Sequence, residues 1–235
     1  MKRNIRLIVL SLVIILSGLA IFIMPPKMDT KIGSSEQTIK IKLPEPSYES
    51  KTSVEQALLK RRSVREYRKS PLTVQELSQL LWAAQGITSQ DGKRTAPSAG
   101  ALYPLEVYIA VGDVTGITAG IYKFIPNSHE LVVVAENDVR EDLSKAALGT
   151  AAVGNGAVVI AIAGVYGRTK VKYGERGERY VHMEAGHAAQ NIYLQAVSLG
   201  LGTVSTGAFY DNQVKQVMNM QKDEEPLYLM PVGRI

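Results

Sequence analysis

The chain has 235 residues, 46% hydrophobic and 21% charged, which is material for one sizeable core and excludes wholesale disorder. Its net charge of +5 sits at one end: residues 1–27 hold four basic and no acidic side chains, leaving 23 basic against 22 acidic for the rest. The bulk of the chain is nearly neutral, so no nucleic-acid partner is expected.

The first element in chain order is a membrane signal. Leu7 to Met24 is an uncharged run of 18 residues. As a helix it is about 27 Å long, enough to cross the hydrocarbon core. Lys2, Arg3 and Arg6 precede it, whereas Lys27, Asp29 and Lys31 nearly balance after it. The positive-inside rule then places the N-terminus in the cytoplasm and the catalytic part outside. No small-x-small cleavage site follows, so residues 1–25 read as an anchor in preference to a signal peptide, with the membrane contact at residues 7–24. Residues 26–50, rich in Pro, Ser, Lys and Glu, read as a linker, and 51–235 as the folded domain.

Within the domain, Val54 to Arg62 carries a helical pattern. Thr73-Val-Gln-Glu76 is a capping box, followed by Leu77, Leu80, Leu81 and Ala84 at helical spacing and Gly86 as the stop. Leu105–Val111, Ile121–Ile125 and Leu131–Ala135 read as strands, the last two joined by a turn at Pro126-Asn-Ser128. Asp138 can cap a helix to Leu148, and the unbroken apolar run Ala157–Ala163 is a buried strand. Arg179–Leu199 is the longest helical pattern, closed by Gly200. A short helix from Asp211 to Met218 and a strand over Leu227–Val232 complete the series. The order predicts an α+β sandwich with a mixed, mainly antiparallel sheet flanked by helices.

Common chemistries fail one by one. The chain has no cysteine, which excludes disulfides, thiolate nucleophiles and Cys-ligated metals. Gly200-Leu-Gly202 lacks the third glycine of a dinucleotide fingerprint, and no P-loop is present. His182 and His187 are five apart where a zinc-binding H-E-x-x-H needs four, so no metal site is expected. What remains is an arginine-rich segment and two small-residue stretches. Arg61 and Arg65 share a helical face if the first helix continues through them, and two guanidiniums beside Ser63 suit a phosphate dianion. On composition alone a solvated basic face is the reading to prefer. Pro97-Ser-Ala-Gly-Ala101 is a loop that lets a flat ligand approach, or an ordinary turn.

Arg61-Arg-Ser-Val-Arg-Glu-Tyr67, Pro97-Ser-Ala-Gly-Ala-Leu-Tyr-Pro104 and Gly207-Ala-Phe209 together resemble the nitroreductase superfamily of FMN flavoproteins. Ile121-Tyr-Lys-Phe-Ile-Pro-Asn-Ser-His-Glu-Leu131, Lys172-Tyr-Gly-Glu-Arg-Gly-Glu-Arg-Tyr180, Glu184-Ala-Gly-His187 and Gln190-Asn-Ile-Tyr193 narrow the resemblance to its SagB/ThcOx-type dehydrogenase branch. The match runs over about residues 51–235. It implies a homodimer with FMN at the subunit interface. Arg61, Arg62, Ser63 and Arg65 would hold the phosphate and ribityl chain. Pro97, Ser98, Ala99 and Ala101, from the partner subunit, would pack against the isoalloxazine. Thr206, Gly207 and Ala208 would lie beside N5 and O4, and the adjacent Lys172 and Tyr173 would be the catalytic acid/base pair. The late basic pair of many members is missing, and Arg234 is the candidate replacement. The function expected is an FMN-dependent oxidoreductase passing hydride through flavin N5, with NAD(P)H as a candidate donor and a small molecule or a heterocycle in a modified peptide as substrate. The alternative is a membrane-tethered flavin-binding module without turnover.

Overall fold

A computed structural model describes residues 39–235. In chain order the strands are β1 (Lys40–Lys42), β2 (Leu72–Thr73), β3 (Leu105–Val111), β4 (Val114–Thr115), β5 (Gly120–Ile125), β6 (Glu130–Ala135), β7 (Val158–Gly164), β8 (Leu201–Thr203) and β9 (Glu225–Arg234). The helices are α1 (Val54–Lys60), α2 (Val74–Gln85), α3 (Arg140–Ala146), α4 (Ala151–Asn155), α5 (Tyr166–Tyr173), α6 (Arg176–Ser198) and α7 (Asp211–Val217). Seven strands form one sheet in the order β1-β6-β5-β3-β7-β9-β8, and every neighbouring pair is antiparallel. The expected parallel pairing is limited to the small β2–β4 pair and a single bridge from Ser63 to Thr203 of β8.

Why β7 reads as an unbroken apolar run is plain from the packing. Successive strand residues point to opposite faces, and both faces of this sheet are covered. Val158, Ile160 and Ile162 join Val107 and Ile109 of β3 in a core with α2 and α6. Val159 and Ala161 join Tyr108 and Ala110 in a second core with Leu143 of α3 and Val214 of α7. The capping box forms as the sequence requires: Thr73 Oγ1 accepts from the Glu76 amide at 3.2 Å, and Glu76 Oε2 accepts from the Thr73 amide at 2.8 Å. Helix α6 ends just before Gly200, which takes a φ of +68°.

Four expectations change. Lys40–Lys42, placed by composition in a linker, add an edge strand to β6, and Leu43 behind them is buried. Helix α1 stops at Lys60, and the arginine segment after it is extended, with Ser63 bridging Thr203 and the Arg68 amide donating to the Arg234 carbonyl. Helix α5 has no counterpart in the sequence reading, because Tyr-Gly-Arg-Thr-Lys-Val-Lys-Tyr buries only Thr169 and so shows no apolar stripe. The membrane-anchored, extracytoplasmic placement is corrected as well. Among the described residues no helix is long and apolar enough to cross a membrane, and the segment 7–24 that suggested one lies outside the described residues.

The double coverage of β7 makes it the least replaceable strand. Ile160→Ala should cost about 2–5 kcal/mol, because the fully buried side chain leaves a cavity in the core between the sheet and helices α2 and α6. Urea unfolding measures this directly; a loss under about 1 kcal/mol would contradict the packing described.

Candidate functional site

The arginine segment builds one end of the site. In an extended chain alternate residues share a face, so Arg61, Ser63 and Arg65 point one way and Arg62 and Val64 the other. Val64 packs against Gly202, where a Cβ would come within 2.7 Å of its side chain. Arg61 lies over the Tyr193 ring, 5.2 Å from its centroid. The Tyr193 hydroxyl contacts Ser63 Oγ at 3.2 Å and Ser205 Oγ at 3.3 Å, and accepts from the Ser205 amide at 2.7 Å. Burial pushes the Tyr193 phenol up, but the bonds from Ser205 and Ser63 and the nearby Arg61 charge outweigh it and hold its pKa below 10.0. Neither Arg61 nor Arg65 has an acidic partner among the described residues. Arg62 turns away, donating from Nη1 to the Leu59 and Arg61 carbonyls at 3.0 and 2.8 Å, where it serves the end of α1.

The loop Pro97–Pro104 is held in an unusual shape. Gly100, Ala101 and Tyr103 have φ of +63°, +54° and +46°, a region that costs non-glycine residues energy and persists only under outside constraint. The constraints are visible. Glu184 of α6, only 4% exposed, accepts from the Ala99 amide at 2.9 Å. Ser98 Oγ accepts from the Tyr103 amide at 2.9 Å, Arg168 of α5 donates to the Tyr103 carbonyl at 3.2 Å, and Arg94 lies over the Tyr103 ring. Burial raises the Glu184 pKa above its ordinary 4.5, against the pull of the Ala99 amide, the Ser98 hydroxyl, His187 and Arg94.

Lys172 and Tyr173 close α5 and reach this same loop. A Cβ on Gly100 would stand 2.9 Å from Tyr173 Oη and 3.0 Å from Lys172 Nζ. Tyr173 is itself braced edge-on by Tyr180. Thr206 pairs with Leu229 through two backbone bonds, which leaves Gly207 and Ala208 exposed beyond the sheet. Gly207 opens onto a cavity of about 430 Å³ lined also by Tyr166, His182, Phe209, Asp211 and Tyr228. In its wall the Tyr166 hydroxyl and His182 Nε2 are 2.6 Å apart. Arg234 is occupied elsewhere: its guanidinium makes a two-pronged contact with Glu76 at 2.7 and 2.8 Å and donates to the Pro71 carbonyl.

The nitroreductase family pattern matches residues 58–234. The chain belongs to the nitroreductase family. A nitroreductase-named protein of Methanocaldococcus jannaschii is 51% identical over 197 residues, 84% of this chain and 97% of that one. The crystal structure of a nitroreductase-named protein from Anabaena variabilis superposes with a TM-score of 0.75 at 33% identity, covering 84% of this chain and 42% of that one, so this chain spans less than half of it. The microcin B17-processing protein McbC of Escherichia coli is 27% identical over 176 residues, 71% of this chain and 64% of its own. The nitroreductase resemblance drawn from the motifs thus holds for this chain, and McbC, at 27% identity, is among its relatives.

Tyr193, Ser205, Glu184, Tyr166 and His182 were not singled out as site residues in the sequence. Tyr193 and Glu184 stood inside the motifs, but nothing in the spacing said that they face the arginines and the loop. Glu184 gives a direct test. Because its folded pKa is raised, the stability it contributes is full below about pH 4.5 and is lost as pH rises through the raised value. Glu184→Gln keeps an acceptor for the Ala99 amide and removes that titration. Unfolding free energy of the variant should fall less steeply than wild type above pH 4.5; parallel curves would refute the burial argument.

Proposed function

We propose that this nitroreductase-family protein is an FMN-dependent oxidoreductase acting as a homodimer. The observation that carries the reading is the anion end of the site: Arg61, without an acidic partner among the described residues, converging with the hydroxyls of Ser63, Tyr193 and Ser205. Guanidinium and hydroxyl donors suit a phosphate and a polyhydroxyl chain. In this reading Arg61, Ser63 and Arg65 hold the phosphate and ribityl groups, and Arg62 and Arg234, whose guanidiniums are engaged elsewhere, do not. The exposed amides of Gly207 and Ala208 serve as donors toward N5 and O4, and Pro97, Ser98, Ala99 and Ala101 offer a flat wall to the ring of the flavin in the other subunit. Val54 and Leu59, 64% and 66% exposed on α1 beside the arginines, supply apolar surface for such a dimer.

When bound, FMN supplies a hydride acceptor and donor at N5. The chain's own part is to orient the ring, exclude water and manage the proton. Lys172 and Tyr173 present an amine and a phenol together at Gly100, so a substrate proton has an acceptor within the site. A flavin-holding module without turnover has no use for that pair. The similarity to the microcin B17-processing protein favours a heterocycle in a modified peptide as substrate, with NAD(P)H as a donor when the reaction runs toward reduction.

Arg61→Ala combined with Arg65→Ala should give a folded, colourless protein. Two charge-assisted contacts at about 1.5–3 kcal/mol each correspond to an FMN affinity lower by about 10²–10⁴. Flavin absorbance after dialysis is the measurement, and stoichiometric FMN in the double variant would overturn the assignment. For the wild type, anaerobic NADH should bleach the flavin and an added acceptor restore it; a flavin inert to donors and acceptors alike would leave only the binding role.

A further inference from the structure

We propose that the cavity onto which Gly207 opens is the substrate pocket, and that it selects a substrate carrying an organic ammonium group on an aromatic stem. The inference rests on the flavin reading above, which puts the Gly207 amide beside N5, and adds to it the charge of the molecule that reacts there.

The cavity, of about 430 Å³, has the size of a small-molecule site and lies where α5, α6, α7 and the start of β9 come together. Three aromatic rings stand in its wall. Tyr166 opens α5, Phe209 precedes α7 and Tyr228 lies in β9. A Cβ on Gly207 would stand 3.7 Å from Cε1 of Tyr228, so the bare glycine leaves that ring uncovered. The faces of such rings are negative and attract cations. The charged groups of the wall have the same sign. Asp211, the first residue of α7, forms no ion pair among the described residues. Glu225 does meet a cation, Lys215 at 2.8 Å, but that amine also donates to the Lys222 carbonyl. Apart from His182, whose Nε2 is engaged by the Tyr166 hydroxyl at 2.6 Å, no lining residue among those described is basic.

The surroundings do not cancel this charge. Glu178, one turn before His182 on α6, shares Lys170 with Glu175. Arg176 and Arg179 line a separate hollow beside His182. Tyr166 registers the sum: burial first, then the charges of Glu178, Glu225 and Asp211, push its phenol up to about 12 against the opposing pull of Lys170. An ammonium ion in the cavity gains the ring faces and the Asp211 carboxylate together, whereas a carboxylate of the same shape meets like charge. Gly207 belongs both to this wall and to the flavin reading, so a ligand seated in the cavity adjoins N5.

Calorimetric titration of the purified protein with phenethylammonium, phenethyl alcohol and phenylpropionate at low salt measures the preference. The ammonium should bind about tenfold more tightly than the alcohol, and the carboxylate should give no binding heat. Asp211→Asn keeps the side chain's size and removes its charge. It should bring the ammonium close to the alcohol while leaving the alcohol where it was, with thermal unfolding as the check on the fold. Phe209→Leu, which removes a ring and no charge, should also cost the ammonium more than the alcohol. Equal affinities in wild type, or a preference that both variants retain, would overturn the cation site whatever the state of the flavin. On FMN-loaded protein the ammonium should shift the visible spectrum of the flavin, and the shift should weaken in Asp211→Asn. Ammonium binding beside an unmoved flavin spectrum would overturn the assignment as substrate pocket. Protein that takes up no FMN would defeat the flavin reading and the substrate assignment with it, and the calorimetric preference would still judge the cation site.

Discussion

The structure depends on how α6 seats on the sheet. Val181, Ala185, Ala188, Ile192 and Ala196 recur every three or four residues and bury one stripe in the core shared with β3, β7 and α2. Each large side chain in such a stripe contributes about 1.5–3 kcal/mol by leaving water. With that stripe committed inward, the flanks of the same helix are obliged to carry polar groups past the sheet edge. Glu184 meets the Ala99 amide, His182 meets Tyr166, and Tyr193 meets Ser63 and Ser205. A single helix thus sets the spacing among three regions that are far apart in the chain.

Two buried glutamates show how hydrogen-bond supply decides charge in this protein. Glu224 is 2% exposed, yet Lys123 at 2.6 Å, the Tyr108 hydroxyl at 2.6 Å and the Gln221 amide hold its pKa below the ordinary carboxylate value in spite of burial. Glu184 is comparably buried but has an amide and a hydroxyl as its main donors, and there burial wins. The first locks β3, β5 and the approach to β9. The second sits behind a loop whose backbone needs holding in the left-handed region, and its weaker compensation is the energetic counterpart of that strained loop.

Family membership fits this division of labour. The sheet and its two cores are generic packing, while the residues that distinguish the site lie where elements end: after α1, before β3, at the close of α5 and after β8. Short strands and helix ends leave amides and side chains without partners in the regular structure, so ligand-facing chemistry collects there. Arg234, at the end of β9, illustrates the opposite outcome: Glu76 of the α2 capping box takes up its guanidinium, which makes it a tie between sheet and helix.

Much was legible from the sequence alone. Strand β3, the Thr73–Glu76 capping box, the Pro126-Asn-Ser128 turn, the doubly buried run of β7 and the long helix ending before Gly200 all follow from local periodicity and cap chemistry, which act over a few residues. The motifs sufficed to name the family. What escaped was whatever depends on partners distant in the chain. Lys40–Lys42 become a strand only because β6 offers its edge, and α5, with one buried residue, is helical without an apolar stripe to announce it. The arginine segment is extended because Thr203 and Arg234 supply its hydrogen bonds, which puts Ser63 rather than Arg62 beside Arg61. Tyr193 and Glu184 acquire their roles the same way. Local sequence determines which elements can form and which faces they bury; only tertiary contact decides which polar groups then meet, because hydrogen-bond partners here come from segments as much as 166 residues apart.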